Sequence, residues 1–159
     1  LLEFNFPHIG DKQREFLNII AEGRIGHAIS LVDEGGLDVY EKLIDLLGKL
    51  PELDTIKLHN FVYGLDGLHS HDKFKNVMLI LNSLLARLIR KSLNAETDDL
   101  PKGEQKLIQS LNFPNNLNCW LDVWERINNL VSFSSSVNLD NTQVILNTFH
   151  EIEDSCNLN

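Results

Sequence analysis

From Phe74 to Ile89 the apolar residues Phe74, Val77, Met78, Leu81, Leu84, Leu85, Leu88 and Ile89 recur on a three-and-four-residue rhythm without a gap. That rhythm matches the turn of an α-helix, whereas a strand needs alternation at every second residue. The stripe commits the chain to a long helix from about His71 to Leu93. A helix with so continuous an apolar face must be covered by other elements.

The rest of the chain supplies them. Tyr40, Leu43, Ile44, Leu47 and Leu50 mark a helix over Leu37 to Leu50, which Pro51 ends. Asp54 opens a shorter one with Phe61 and Val62 inward, closed at Gly64. Lys102 to Asn112 turns Leu107, Ile108 and Leu111 inward. Leu117 to Phe133 carries both tryptophans, Trp120 and Trp124. Asp140 with Gln143 three residues later reads as a capping box, so a last helix starts there with Val144, Ile145, Phe149 and Ile152 on its apolar side. Near the start, Asp11 is the expected N-cap of a helix with Phe16, Leu17 and Ile20 inward. Gly23 stops it, and Ile25, Ala28, Ile29 and Val32 begin another. No segment alternates long enough for a strand. The expectation is an all-α chain of about eight helices, with a hinge at Asp33-Glu34-Gly35-Gly36.

Apolar residues make up 43% of the 159 positions, enough to build a packed core. A net charge of −9 weighs against this chain gripping a phosphate backbone by itself. Cys119 and Cys156 stand far apart in sequence, with no Cys-x-x-Cys pair to hold zinc. Reduced thiols and a cytoplasmic location are the expectation. No apolar run is long enough to cross a bilayer, and no signal peptide is visible. The chain opens on Leu1 and its single Met is Met78, as expected for a piece of something longer.

Individual motifs have modest readings. His69-Ser70-His71 with Asp66 and Asp72 offers metal-ligating types, but the same residues make an ordinary polar helix start. Arg87, Arg90 and Lys91 share one helical face, either for phosphate or as a solvated last turn that complements the helix dipole. Ser134-Ser135-Ser136 and His150 lack anything to orient a nucleophile. Asp98-Asp99 reads as solubilising charge, and Cys119 beside Trp120 as a small hydrophobe. No run resembles a phosphate-binding P-loop.

Two stretches resemble a known family. Gly23-Arg24-Ile25-Gly26-His27-Ala28-Ile29 is similar to the lid signature Gly-Ser-x-Arg-x-Ala-Leu of AAA+ clamp-loader subunits, with Gly23, Ala28 and Ile29 matching. The family's Ser falls on Arg24, and its phosphate-sensing Arg on Gly26. A Gly there resembles the delta-prime subunit of bacterial DNA polymerase III, a non-hydrolysing member of the loader. Further on, a Trp-bearing helix, a polar break and Asn138-Leu139-Asp140-Asn141-Thr142-Gln143-Val144-Ile145-Leu146 resemble the end of delta-prime collar domains.

The resemblance implies that residues 1–34 are the C-terminal part of an AAA+ lid and residues 35–159 a helical collar that holds the loader ring. The partners it implies are the other clamp-loader subunits, with the sliding clamp and primed DNA engaged only indirectly. It implies no catalytic, cofactor-binding or metal residue in this piece, and Gly26 as a degenerate sensor position. The parent assembly would be a DNA-directed DNA polymerase. A stand-alone helical regulatory or peptide-binding domain remains the alternative.

One helix stands out as a candidate interface. Leu117, Trp120, Leu121, Val123, Trp124, Ile127, Leu130 and Val131 cover an arc of about 180°, where a surface helix needs roughly 100° to reach its core. Either the helix is covered on two sides within its own domain, or Val123 and Leu130 form an open edge for a neighbouring subunit.

Overall fold

The structure is a computed structural model, and it describes residues 10–20, 34–65, 71–94, 100–113, 115–134 and 140–157. Every regular element among them is helical. In order they are α1 (Asp11–Ile20), α2 (Gly36–Leu47), α3 (Thr55–Tyr63), α4 (His71–Asn94), α5 (Lys102–Ser110), α6 (Leu117–Ser134) and α7 (Asn141–Asn157). The helix expected from Ile25, the corner at Gly23 and the sensor position Gly26 lie outside the described residues.

The helix starts show how local sequence sets these bounds. Asp54 accepts a hydrogen bond from the Lys57 N–H at 3.0 Å, a conventional N-cap for α3. Asp140 Oδ1 likewise accepts from the N–H groups of Thr142 (3.0 Å) and Gln143 (3.4 Å) at the start of α7. The expected capping box is only half made, because the Gln143 side-chain amide donates forward to Asn147 Oδ1 (2.8 Å), where a full box would have its oxygen accept from the Asp140 N–H. At α1 the residue just before the helix is Gly10, not Asp11, and its N–H donates to Gln13 Oε1 at 3.2 Å. Gly35 has φ of +79°, a left-handed conformation that suits glycine, and it turns the chain into α2. Gly36 is the first residue of α2 and is buried.

The helix announced by the long stripe is the centre of the molecule. α4 packs against α2, α5, α6 and α7, and α3 lies against α2 and α7. Phe74, Met78, Leu81, Leu85 and Leu88 of α4 are fully buried. Each such side chain contributes roughly 1.5–3 kcal/mol through removal from water. The apolar cluster is continuous from Phe16 to Ile152. Phe16 of α1 packs against Tyr40 of α2 with ring centroids 5.6 Å apart and the ring planes tilted by 55°, so these two helices on either side of Gly35 share one core.

Two connections close the bundle. The turn after α5 carries Asn112 at φ +48°, and its side chain accepts from Asn115 Nδ2 at 2.6 Å. That turn drives Phe113 inward, where it stacks on Trp120 of α6 with centroids 4.3 Å apart. The Leu53 N–H, just ahead of α3, donates to Glu153 Oε1 of α7 at 2.9 Å. No described helix is long and apolar enough to cross a membrane.

Candidate interaction surface and buried charge cluster

α6 decides between the two readings of its wide apolar arc. Trp120, Val123 and Ile127 follow one another at steps of three and four, and they are 3%, 2% and 2% exposed. Val123 is therefore core, and the expected open edge of Val123 with Leu130 is not formed. The physical reason is that α6 is covered from two directions, by α4 and by α7. Trp124, Leu130 and Val131 are half-buried against the same core. Between α4 and α6, Asn82 Nδ2 donates to Asn128 Oδ1 at 2.7 Å, and Asn128 Nδ2 donates to the Trp124 carbonyl at 3.1 Å. This polar rung fixes the register of an otherwise apolar seam.

Leu130 has a second surroundings. With Arg126, Asn129, Ser132 and Phe133 of α6, and Glu151 of α7, it lines a shallow groove of about 580 Å³. Phe133 is 58% exposed there, and Leu121 on the same helix is 39% exposed. The groove combines an apolar floor with a cation and a carboxylate at its rim, the composition of a protein-binding surface. A second exposed stripe runs along α3, where Ile56 is 74% and Tyr63 69% exposed. The His59 ring stacks on Tyr63 with centroids 5.7 Å apart.

The most heavily buried charges lie on the other side of α4. Glu104 is fully buried and Arg87 7% exposed. Arg87 Nη2 donates to Glu104 Oε1, and the Tyr40 hydroxyl donates to the same oxygen, so one carboxylate joins α2, α4 and α5. Glu104 lies in the first turn of α5, where the helix dipole favours a negative charge. Its neighbour Gly103 permits the approach: a Cβ there would come within 3.0 Å of Ile44 Cγ2 on α2. Arg87 is thus neither a phosphate contact nor part of a solvated turn, while Arg90 is exposed and Lys91 half-exposed. Sequence reasoning missed Glu104 altogether. Its only signal is its spacing: it lies three and four residues before Leu107 and Ile108, on the inward face of α5.

Surface electrostatics are ordinary by comparison. Lys57 Nζ pairs with Asp45 Oδ2 at 2.8 Å. The hydrogen bond from Lys57 lowers the Asp45 pKa, and that to Asp45 raises the pKa of Lys57. His150 Nδ1 stands 3.6 Å from Glu153 Oε2, an ion pair only when the imidazole is protonated.

The remaining candidates separate cleanly. Asp66, His69, Ser70, Asp98, Asp99 and the serines at 135 and 136 lie outside the described residues, as do the side chains of His71 and Ser134. Among the described residues no three His, Cys, Asp or Glu side chains gather as a metal set. Cys119 and Cys156, distant in sequence, are brought to one pocket and are both half-buried with free thiols. No family model, curated protein or solved structure matches the chain.

Proposed function

We propose that the chain is a helical assembly domain, working by docking its outer surface against other subunits, in the manner of a delta-prime-like collar of a bacterial clamp loader. In this reading it holds the loader ring together while other subunits hydrolyse ATP to place the sliding clamp on primed DNA. The lid-like corner with Gly26 belongs to the same reading, as a position where a phosphate sensor has been lost.

The observation that carries the proposal is the pairing of α6 and α7. The Trp-bearing helix and the described part of the collar-like run, Asp140 to Leu146, belong to α6 and to the start of α7, which pack against each other. Asp140 of that run caps α7, and Val144, Ile145 and Leu146 bury its first turns. The outer side of that pair carries the groove with Leu130 and Phe133.

Reconstitution tests it. The chain is mixed with the other subunits of a bacterial clamp loader and followed by size-exclusion chromatography with light scattering. Co-elution as a stoichiometric complex is the expected result. A chain that elutes alone at every concentration tried sinks the reading and favours the regulatory or peptide-binding alternative.

A further inference from the structure

The pocket that holds the two cysteines belongs neither to the groove nor to the buried charge cluster. Cys119 is the third residue of α6, and Cys156 the next-to-last of α7. A short connection between packed helices makes them antiparallel neighbours, so the beginning of α6 and the end of α7 meet in space. They meet at a pocket of about 120 Å³, lined by Cys119 and Trp120 from α6, Ser155 and Cys156 from α7, and Asn112 and Asn116 from the turn between α5 and α6. Both thiols are free and both are half-buried, so a small reagent has access to them.

We propose that Cys119 and Cys156 are a redox pair that closes to a disulfide across this pocket, fastening the first turn of α6 to the last turn of α7. The oxidant is a low-molecular-weight disulfide of the glutathione class. The Cys119 thiolate attacks one of its sulfurs, forming a mixed disulfide and releasing one small thiolate. The Cys156 thiol then gives its proton to solvent, attacks Cys119 Sγ and expels the second small thiolate. Two protein thiols are oxidised by two electrons, and one small disulfide is reduced to two thiols.

The surroundings assign the roles. Burial, with Cys119 and Glu153 nearby, pushes the Cys156 thiol up to about 11. The thiolate is the nucleophile, so the thiol held protonated resolves and the other attacks first. The bridge would tie the first turn of α6 to the last turn of α7. It would stabilise the fold chiefly by restricting the unfolded chain.

The test uses the whole 159-residue chain. It is equilibrated in oxidised and reduced glutathione, its free thiols are alkylated in denaturant at neutral pH with excess reagent, and its intact mass is measured. The expected product is a monomer lighter by two hydrogens, with no alkyl group and no glutathione, melting higher by roughly 5 °C or more. Cys156→Ser should stop at a mixed disulfide on Cys119, which keeps the assignment testable even if the bridge itself changes the melt little. Wild-type chain carrying two separate adducts, covalent dimers or two unreacted thiols would overturn the proposal.

Discussion

On the inner side of α6, Trp120, Val123 and Ile127 are almost wholly withdrawn from water, whereas on the same helix Phe133 is 58% and Leu121 39% exposed. Leu121 shares one wide apolar arc with the buried three, Phe133 lies beyond its edge near the end of the helix, and nothing in residue type separates the two groups. The difference is coverage: α6 packs against α4 and α7, which leave the first group buried and the second exposed. An apolar arc wider than a domain's own core requires leaves surface for something else to cover. The same contrast holds on a larger scale. Around α4 even the charges are enclosed, as the Arg87–Glu104–Tyr40 cluster is, while α6 and α3 present apolar side chains outward.

The contrast is sharpest at Val123. Val123→Asp places a charge without a partner in the core, and we expect the isolated chain to lose several kcal/mol, on the order of its whole stability, in a denaturant melt. A cooperative, nearly unshifted melt would mean that the inner side of α6 is not core.

Glu104→Ala comes next. It leaves Arg87 buried without its carboxylate, and a loss of about 3–5 kcal/mol is expected. Arg87→Met combined with Glu104→Leu should recover much of that loss, since replacing both partners removes the unpaired charge. A single Glu104→Ala that costs under about 1 kcal/mol would show the cluster to be solvated.

On the open side, Phe133→Asp should change the melt by no more than about 0.5 kcal/mol. A loss comparable to that of Val123→Asp would erase the distinction between the two sides of the helix.

The smallest effect belongs to the exposed Asp45–Lys57 pair. The lowered Asp45 pKa means that its contribution is present above the unfolded carboxylate value and is lost as pH falls through the folded one. Asp45→Asn should therefore lower stability slightly near neutrality and leave it unchanged below the folded Asp45 value, so that the acid limb of a stability-against-pH curve is a little flatter. A large change at neutral pH would mark the pair as part of the enclosed region.

Much of this arrangement is legible in the sequence, for a definite reason. Periodicity reports which side of a helix is apolar, so the stripe from Phe74 to Ile89 places α4, and Leu107, Ile108 and Leu111 orient α5. Short-range chemistry reports helix starts, so Asp54 and Asp140 place α3 and α7. What periodicity cannot report is which of several apolar positions a neighbour will cover, and Val123 falls on the covered side of its arc. Nor does it reveal charges that are buried because a partner distant in sequence meets them. Glu104 looks like any helix-surface acid until Arg87 and Tyr40 arrive from two other helices. Cys119 and Cys156 are remote along the chain and become neighbours only when α6 and α7 fold back on each other.

The most direct test of the account is the affinity of the chain for the clamp-loader subunits proposed as its partners, measured for the wild type and for Phe133→Asp under identical conditions. If the open side of α6 is a docking surface, the wild type binds and the variant, equally well folded, binds at least roughly tenfold more weakly, a difference of about 1.4 kcal/mol. Equal affinity of the two proteins, or no binding by the wild type, would contradict the account.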